Sequence, residues 1–268
     1  MRSKPTIDLL FSPFLSRNIQ FKSNKPIFGS LNNHTALKFS SSKTHSLFLD
    51  EFHRLYGIGS NSKNQLSSKK LKSFVLPVHF DLIKNDTQVL DFVCGENFSA
   101  ILTETQELNI FGCTNTTIKE SNIRGLSSSN NTFSFAFNLL NVYVGTIGND
   151  NQIQTQIYEL PAPILMTALN DSIIAALGQD GKVYFSEIGT DNPMKEIKLN
   201  ASQEKSPHIR LISAAHDSLT MMGDHCLYVY RNHKLTSHYF PMAFDAVYGC
   251  SCFNDVFALS RNGKLCHC

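Results

Sequence analysis

A hairpin pattern recurs six times along this chain, and it constrains the fold more than any other feature. Val89 to Gly112 reads VLDFVCGENFSAILTETQELNIFG, and Phe244 to Cys268 reads FDAVYGCSCFNDVFALSRNGKLCHC. Each stretch has a β-rich entry with a cysteine, a polar pair, alternating small and apolar residues, a polar turn and a second apolar run. In that register the apolar residue before the turn is Leu49, Leu102, Ala136, Leu177, Met221 and Leu259. The apolar residue six positions later is Leu55, Leu108, Val142, Val183, Leu227 and Leu265. Turn formers fill most of the gaps, among them Asp180-Gly181 and Asn262-Gly263. Such pairs tolerate the positive φ that tight hairpins need. The third copy is weaker, with Asn138-Leu139-Leu140-Asn141 at its turn.

Spacing between copies is irregular, as it is where loops vary in length, and each leaves room for a second strand pair. Units of about 40 residues that cannot bury an apolar face alone must stack on their neighbours. The expected fold is therefore all-β: one β-propeller domain, 1–268, of six to seven short blades. The repeats lie near 41–83, 84–120, 121–160, 161–200, 205–240 and 241–268. Residues 1–40 are expected to close the ring, because Pro26 to Asn33 echoes Leu55 to Asn61 and an open ring leaves unpaired edges. Thr132 to Asn138 alternates most cleanly, with Phe133, Phe135 and Phe137 on one side. Ile164 to Leu177 is acceptable as a helix by propensity, but the repeat register assigns it to a hairpin.

Two segments carry a resemblance. Leu55-Tyr56-Gly57-Ile58-Gly59-Ser60-Asn61 runs on through Gln65-Leu66, and Val93-Cys94-Gly95 leads through Phe98-Ser99 to Leu102. Together they resemble the regulator-of-chromosome-condensation repeat family. The signature positions are Tyr56, Gly57, Gly59, Asn61, Gln65, Leu66, Cys94, Gly95, Ser99 and Leu102, with Phe98 where histidine is usual. His216-Asp217-Ser218 is similar to the family's histidine-serine position, where the role is structural. The resemblance implies a propeller, usually of seven blades, that serves as a binding platform. The family's members include a guanine-nucleotide exchange factor for a nuclear GTPase, and others serve ubiquitin ligases, membrane traffic or cilia. Fold resemblance does not fix function.

Chemistry is sparse. Cys250-x-Cys252 and Cys266-x-Cys268, with His267, could be read as zinc ligands, but knuckles place two or more residues between cysteines. The alternative is that these are small buried hydrophobes. Gly57-Ile58-Gly59 lacks the third glycine and the helix of a phosphate loop and reads as a strand-end turn. No catalytic residue or cofactor is expected, and the chain is read as not an enzyme. A net charge of +2 gives no case for nucleic acid, and the Lys69-Lys70-Leu71-Lys72 cluster reads as a solvated loop. No stretch approaches the ~20 apolar residues of a membrane helix. Met1 to Ser16, broken by Pro5, Asp8, Ser12 and Pro13, makes a poor signal peptide. Seven cysteines then suggest reduced intracellular thiols.

The expected function is a non-catalytic interaction scaffold or structural subunit of a large assembly, cytoplasmic and cytoskeletal or ciliary rather than nuclear. Its partners are expected to be proteins. The alternative is exchange activity on a small GTPase. Contacts are expected from Ser60 to Lys72, Thr114 to Ser129 and Gly189 to Pro207.

Overall fold

The computed structural model describes residues 36–50, 52–84, 87–199, 208–215, 218–223, 226–239, 246–252, 255–260 and 265–267. Among them every regular element is a strand, and the strands form six antiparallel sheets. The first sheet joins β1 (Ala36–Ser41), β2 (His45–Asp50), β3 (Leu55–Ser60) and β4 (Ser73–His79). The second joins β5 (Val89–Cys94), β6 (Phe98–Thr103), β7 (Glu107–Gly112) and β8 (Thr116–Lys119). The third holds β9 (Arg124–Ser129), β10 (Thr132–Phe137), β11 (Asn141–Ile147) and β12 (Ile153–Glu159). The fourth holds β13 (Ile164–Leu169), β14 (Ile173–Gly178), β15 (Val183–Glu187) and β16 (Lys195–Glu196). The fifth holds β17 (Ile209–Ala215), β18 (Ser218–Gly223), β19 (Cys226–Arg231) and β20 (Lys234–Tyr239). The sixth shows β21 (Ala246–Cys252), β22 (Asp255–Ser260) and β23 (Leu265–His267). The proposed closing segment lies almost wholly outside the described residues.

The first strand of each sheet packs on the first strand of the next, from β1 through β5, β9, β13 and β17 to β21. First strands therefore follow one another around a common axis and fourth strands lie outside, which makes the sheets the blades of a propeller. Five first strands carry a one-residue bulge at the same place, just after Ala36, Val89, Ile164, Ile209 and Ala246. A bulge adds local twist and turns its extra residue away from the ladder.

The hairpin anchors pair as the sequence register requires in five blades: Leu49 with Leu55, Leu102 with Leu108, Ala136 with Val142, Leu177 with Val183 and Leu259 with Leu265. The fifth blade departs by one residue. Leu227 pairs with Met222, and Met221 pairs with Tyr228. Ile164 to Leu177 forms β13 and most of β14, so the hairpin register prevails over helix propensity there.

Each hydrophobic cluster straddles two blades. Phe98, Leu108 and Ile110 of blade 2 meet Phe133, Phe135 and Phe137 of blade 3. Leu47 and Leu55 of blade 1 meet Phe92 and Ile101 of blade 2. Comparable clusters link blades 3 and 4, and 4 and 5. Both faces of a middle blade are covered, so the alternation in β10 places Ser134 and Ala136 in the interior as fully as the phenylalanines. Phe80, Phe92, Phe98, Phe133 and Phe135 are fully buried, and each contributes about 1.5–3 kcal/mol of burial free energy.

Candidate interaction surfaces

The signature of blade 1 builds a rigid loop between β3 and β4. Asn61 is buried and organises it. Its side-chain amide donates to the carbonyls of Ser67, Lys69 and Leu71 at 3.0–3.1 Å. Its side-chain oxygen accepts from the Leu66 and Ser67 backbone at 2.9 and 3.1 Å. Gln65 accepts from the Lys63 backbone N–H at 2.9 Å. Leu66 is fully buried under Gly57, where an added Cβ would lie 2.6 Å from its Cδ2. Gly59 has φ +108°, and an added Cβ would lie 2.6 Å from the Thr44 carbonyl oxygen. Gly57-Ile58-Gly59 lies within β3, so it is a close-packed strand rather than the strand-end turn expected from the sequence. Downstream, the Asp81 carboxylate accepts from Ser67 Oγ, Ser68 Oγ and the Ser68 backbone N–H, which holds its pKa below the usual range despite the opposing effect of burial.

The second signature forms the joints between blades. His45 and Phe98 occupy equivalent positions at the starts of β2 and β6. Phe98 lies on Gly95, whose added Cβ would fall 1.9 Å from the ring, and meets Phe133 of blade 3 edge-on at 5.8 Å. His45 fills the same slot with polar contacts. Its Nε2 lies 2.9 Å from Ser99 Oγ of blade 2, and its Nδ1 lies near the hydroxyls of Ser42 and Thr44. Burial drives its pKa down to about 4, so the ring is neutral. Cys94 is buried, accepts Ser128 Oγ at its carbonyl and donates its thiol to the Ser40 carbonyl. Burial pushes that thiol up to about 12, which leaves no thiolate near neutral pH. Leu102 is core. His45 is the joint residue that sequence reading missed. The signal was available, because His45 stands four residues before Leu49 as Phe98 stands four before Leu102.

The other sequence candidates disperse. Register puts Ser218 opposite Ala215 and Leu219 opposite Ala214, so Ser218 occupies the slot of His45; His216 and Asp217 lie outside the described residues. Cys250 and Cys252 share one parity on β21. Cys266 lies at the other parity on β23, with β22 between, and Cys268 is outside the described residues. Among the described residues no group of three His, Cys, Asp or Glu side chains is placed to hold a metal. Thr114 to Ser129, expected as a contact loop, contains β8 and β9 and is mostly framework. Gly189 to Pro207 includes the short β16, and its last eight residues lie outside the described set.

Two surfaces stand out by exposed apolar side chains. At one end of the blades lie the turns between second and third strands and the starts of first strands. Phe52 and Leu139 stand in those turns, and Leu90 and Leu165 are bulged residues of β5 and β13; these four are 45–61% exposed. The Leu139 carbonyl accepts from the Ile164 backbone N–H at 2.8 Å, which ties the turn of blade 3 to the strand start of blade 4. The second surface is the outer edge of blade 1, near the opposite end. There β4 places Val75, Leu76 and Pro77 opposite the single residue Ile58.

Solved structures share this architecture. Yeast RCC1 (Prp20), solved bound to Kap60, superposes with a TM-score of 0.68 at 14% identity, over 90% of this chain and 71% of that one. The fold is that of the RCC1-like propellers. Human WBSCR16 superposes with a TM-score of 0.64 at 13% identity, over 88% of this chain and 76% of that one. No family model matches the sequence. A 113-residue stretch is 34% identical to the Rho GTPase-activating protein gacGG of Dictyostelium discoideum, covering 39% of this chain. This chain spans only 9% of that relative's length.

Proposed function

We propose that this RCC1-like propeller is a non-catalytic protein-binding platform and a subunit of a larger assembly, cytoskeletal or ciliary. The observation that supports it is the gathering of Phe52, Leu90, Leu139 and Leu165 on one end of the blades. Exposed apolar side chains concentrated at one end of a fold are a usual mark of protein docking. Of the signature residues and their equivalents, His45 and Cys94 are enclosed in joints between blades.

A second reading is exchange activity on a small GTPase. One observation favours it: Prp20p from Saccharomyces cerevisiae, with a TM-score of 0.68 at 13% identity, is described with its binding properties to Gsp1p and histones.

The test is affinity capture of the tagged chain, with Leu90→Asp/Leu165→Asp as the comparison. Partners that survive high salt and are lost with the double variant support the platform. A small GTPase captured only without nucleotide, with accelerated nucleotide release, replaces it with the second reading. Identical captures with and without the substitutions remove this face as the docking site.

A further inference from the structure

We infer that the outer edge of blade 1 is a second docking surface, separate from the apolar end, and that it receives an acidic segment of a partner protein. Val75 and Leu76 are consecutive in β4 yet 69% and 57% exposed. In a regular strand, successive side chains face opposite sides and one of the two would pack inward. Here the bulge opposite Ile58 lifts both out, while Phe74 just before them stays buried as the anchor. Such a knob on an edge strand invites aggregation unless something specific covers it. Pro77 at the bulge lacks a backbone N–H, which disfavours simple strand addition and leaves side-chain docking as the mode.

Charge identifies the occupant. Lys69, Lys70 and Lys72 are exposed beside the knob, and Leu71 among them is exposed as well. Among the described residues none of these lysines has an ion-pair partner. Asp81, the acid of this region, is already engaged by Ser67 and Ser68. The backbone beneath the lysines is fixed, since Asn61 holds the carbonyls of Lys69 and Leu71 and its own N–H donates to the Lys72 carbonyl. A surface held this way loses little further backbone freedom on binding. The complement is an extended segment with carboxylates for the lysines and an aliphatic or aromatic residue for Val75 and Leu76.

The probe is a fluorescein-labelled twelve-residue peptide of glutamate with two leucines and one phenylalanine, titrated with the full chain by anisotropy. A glutamine-for-glutamate peptide and vesicles rich in phosphatidylserine serve as comparisons. We expect binding of the acidic peptide that weakens with salt, falls about tenfold in Lys69→Gln/Lys70→Gln/Lys72→Gln and falls comparably in Val75→Ser/Leu76→Ser. All five positions are exposed, so both variants should keep the wild-type melting temperature. No binding of the acidic peptide, equal binding of the glutamine peptide, binding to vesicles alone, or variants that bind like wild type would each overturn the inference.

Discussion

Acidification should loosen the joint between blades 1 and 2, and His45 should account for a defined part of the loss. Free histidine titrates near 6.5, whereas burial holds His45 at about 4 in the folded chain. Below pH 6.5 the unfolded chain takes up a proton that the folded chain refuses, so stability falls with pH. The loss runs from about 6.5 down to about 4 and then stops, because both states are protonated below that. At about 1.36 kcal/mol per pH unit, this single side chain removes roughly 3 kcal/mol across the window. Native carboxylates also lose stability in acid, so the assay must isolate one residue. Blade 2 suggests how: Ser42→Gly/His45→Phe/Ser99→Ala copies the Gly95–Phe98 pair into blade 1 and removes the partner hydroxyl. Urea denaturation at intervals from pH 7 to pH 4 would measure both proteins. The wild type should lose roughly 3 kcal/mol more than the triple variant over that range. Parallel curves would refute the reasoning.

Asn61→Ala breaks five hydrogen bonds and strands buried backbone groups, at a cost of about 3–5 kcal/mol concentrated in the loop. Hydrogen exchange should show residues 62–72 opening while β6 and β10 stay protected; an unchanged loop would contradict the role given to Asn61. Gly95→Ala drives a methyl into the buried Phe98 ring and should cost at least about 2 kcal/mol in thermal denaturation. A neutral effect would mean the ring can move aside. Cys94 should resist maleimide at pH 8 in the native state and react once urea unfolds the chain, as read by peptide mapping. Rapid native labelling would contradict its enclosure.

The blade framework was largely legible in the sequence, because a hairpin needs only a turn and two apolar anchors at fixed separation. That rule located five of the six registers and erred by one residue in blade 5, where Met221 and Met222 are both apolar and either can serve as the anchor. What sequence could not supply was the far side of each contact. Thr114 to Ser129 looked like a polar loop because its serines read as solvent-seeking. In the fold Ser127 bonds to Ser134 on the next strand of its own blade, and Ser128 bonds across the blade joint to the Cys94 carbonyl. The exposure of Val75 and Leu76 has no sequence signal, since a bulge is invisible until its partner strand is known. His45 escaped notice because its partner Ser99 lies 54 positions away.

The straddling clusters change what counts as a repeat in this chain. Each hydrophobic cluster belongs partly to one blade and partly to the next, so core substitutions are constrained in pairs across a joint as well as in columns down a repeat. One joint can hold a histidine and a serine, its neighbour two phenylalanines, and the backbone does not register the difference. Blade-by-blade sequence similarity can then decay almost completely while every joint stays matched, and the trace of common origin survives in which residues change together.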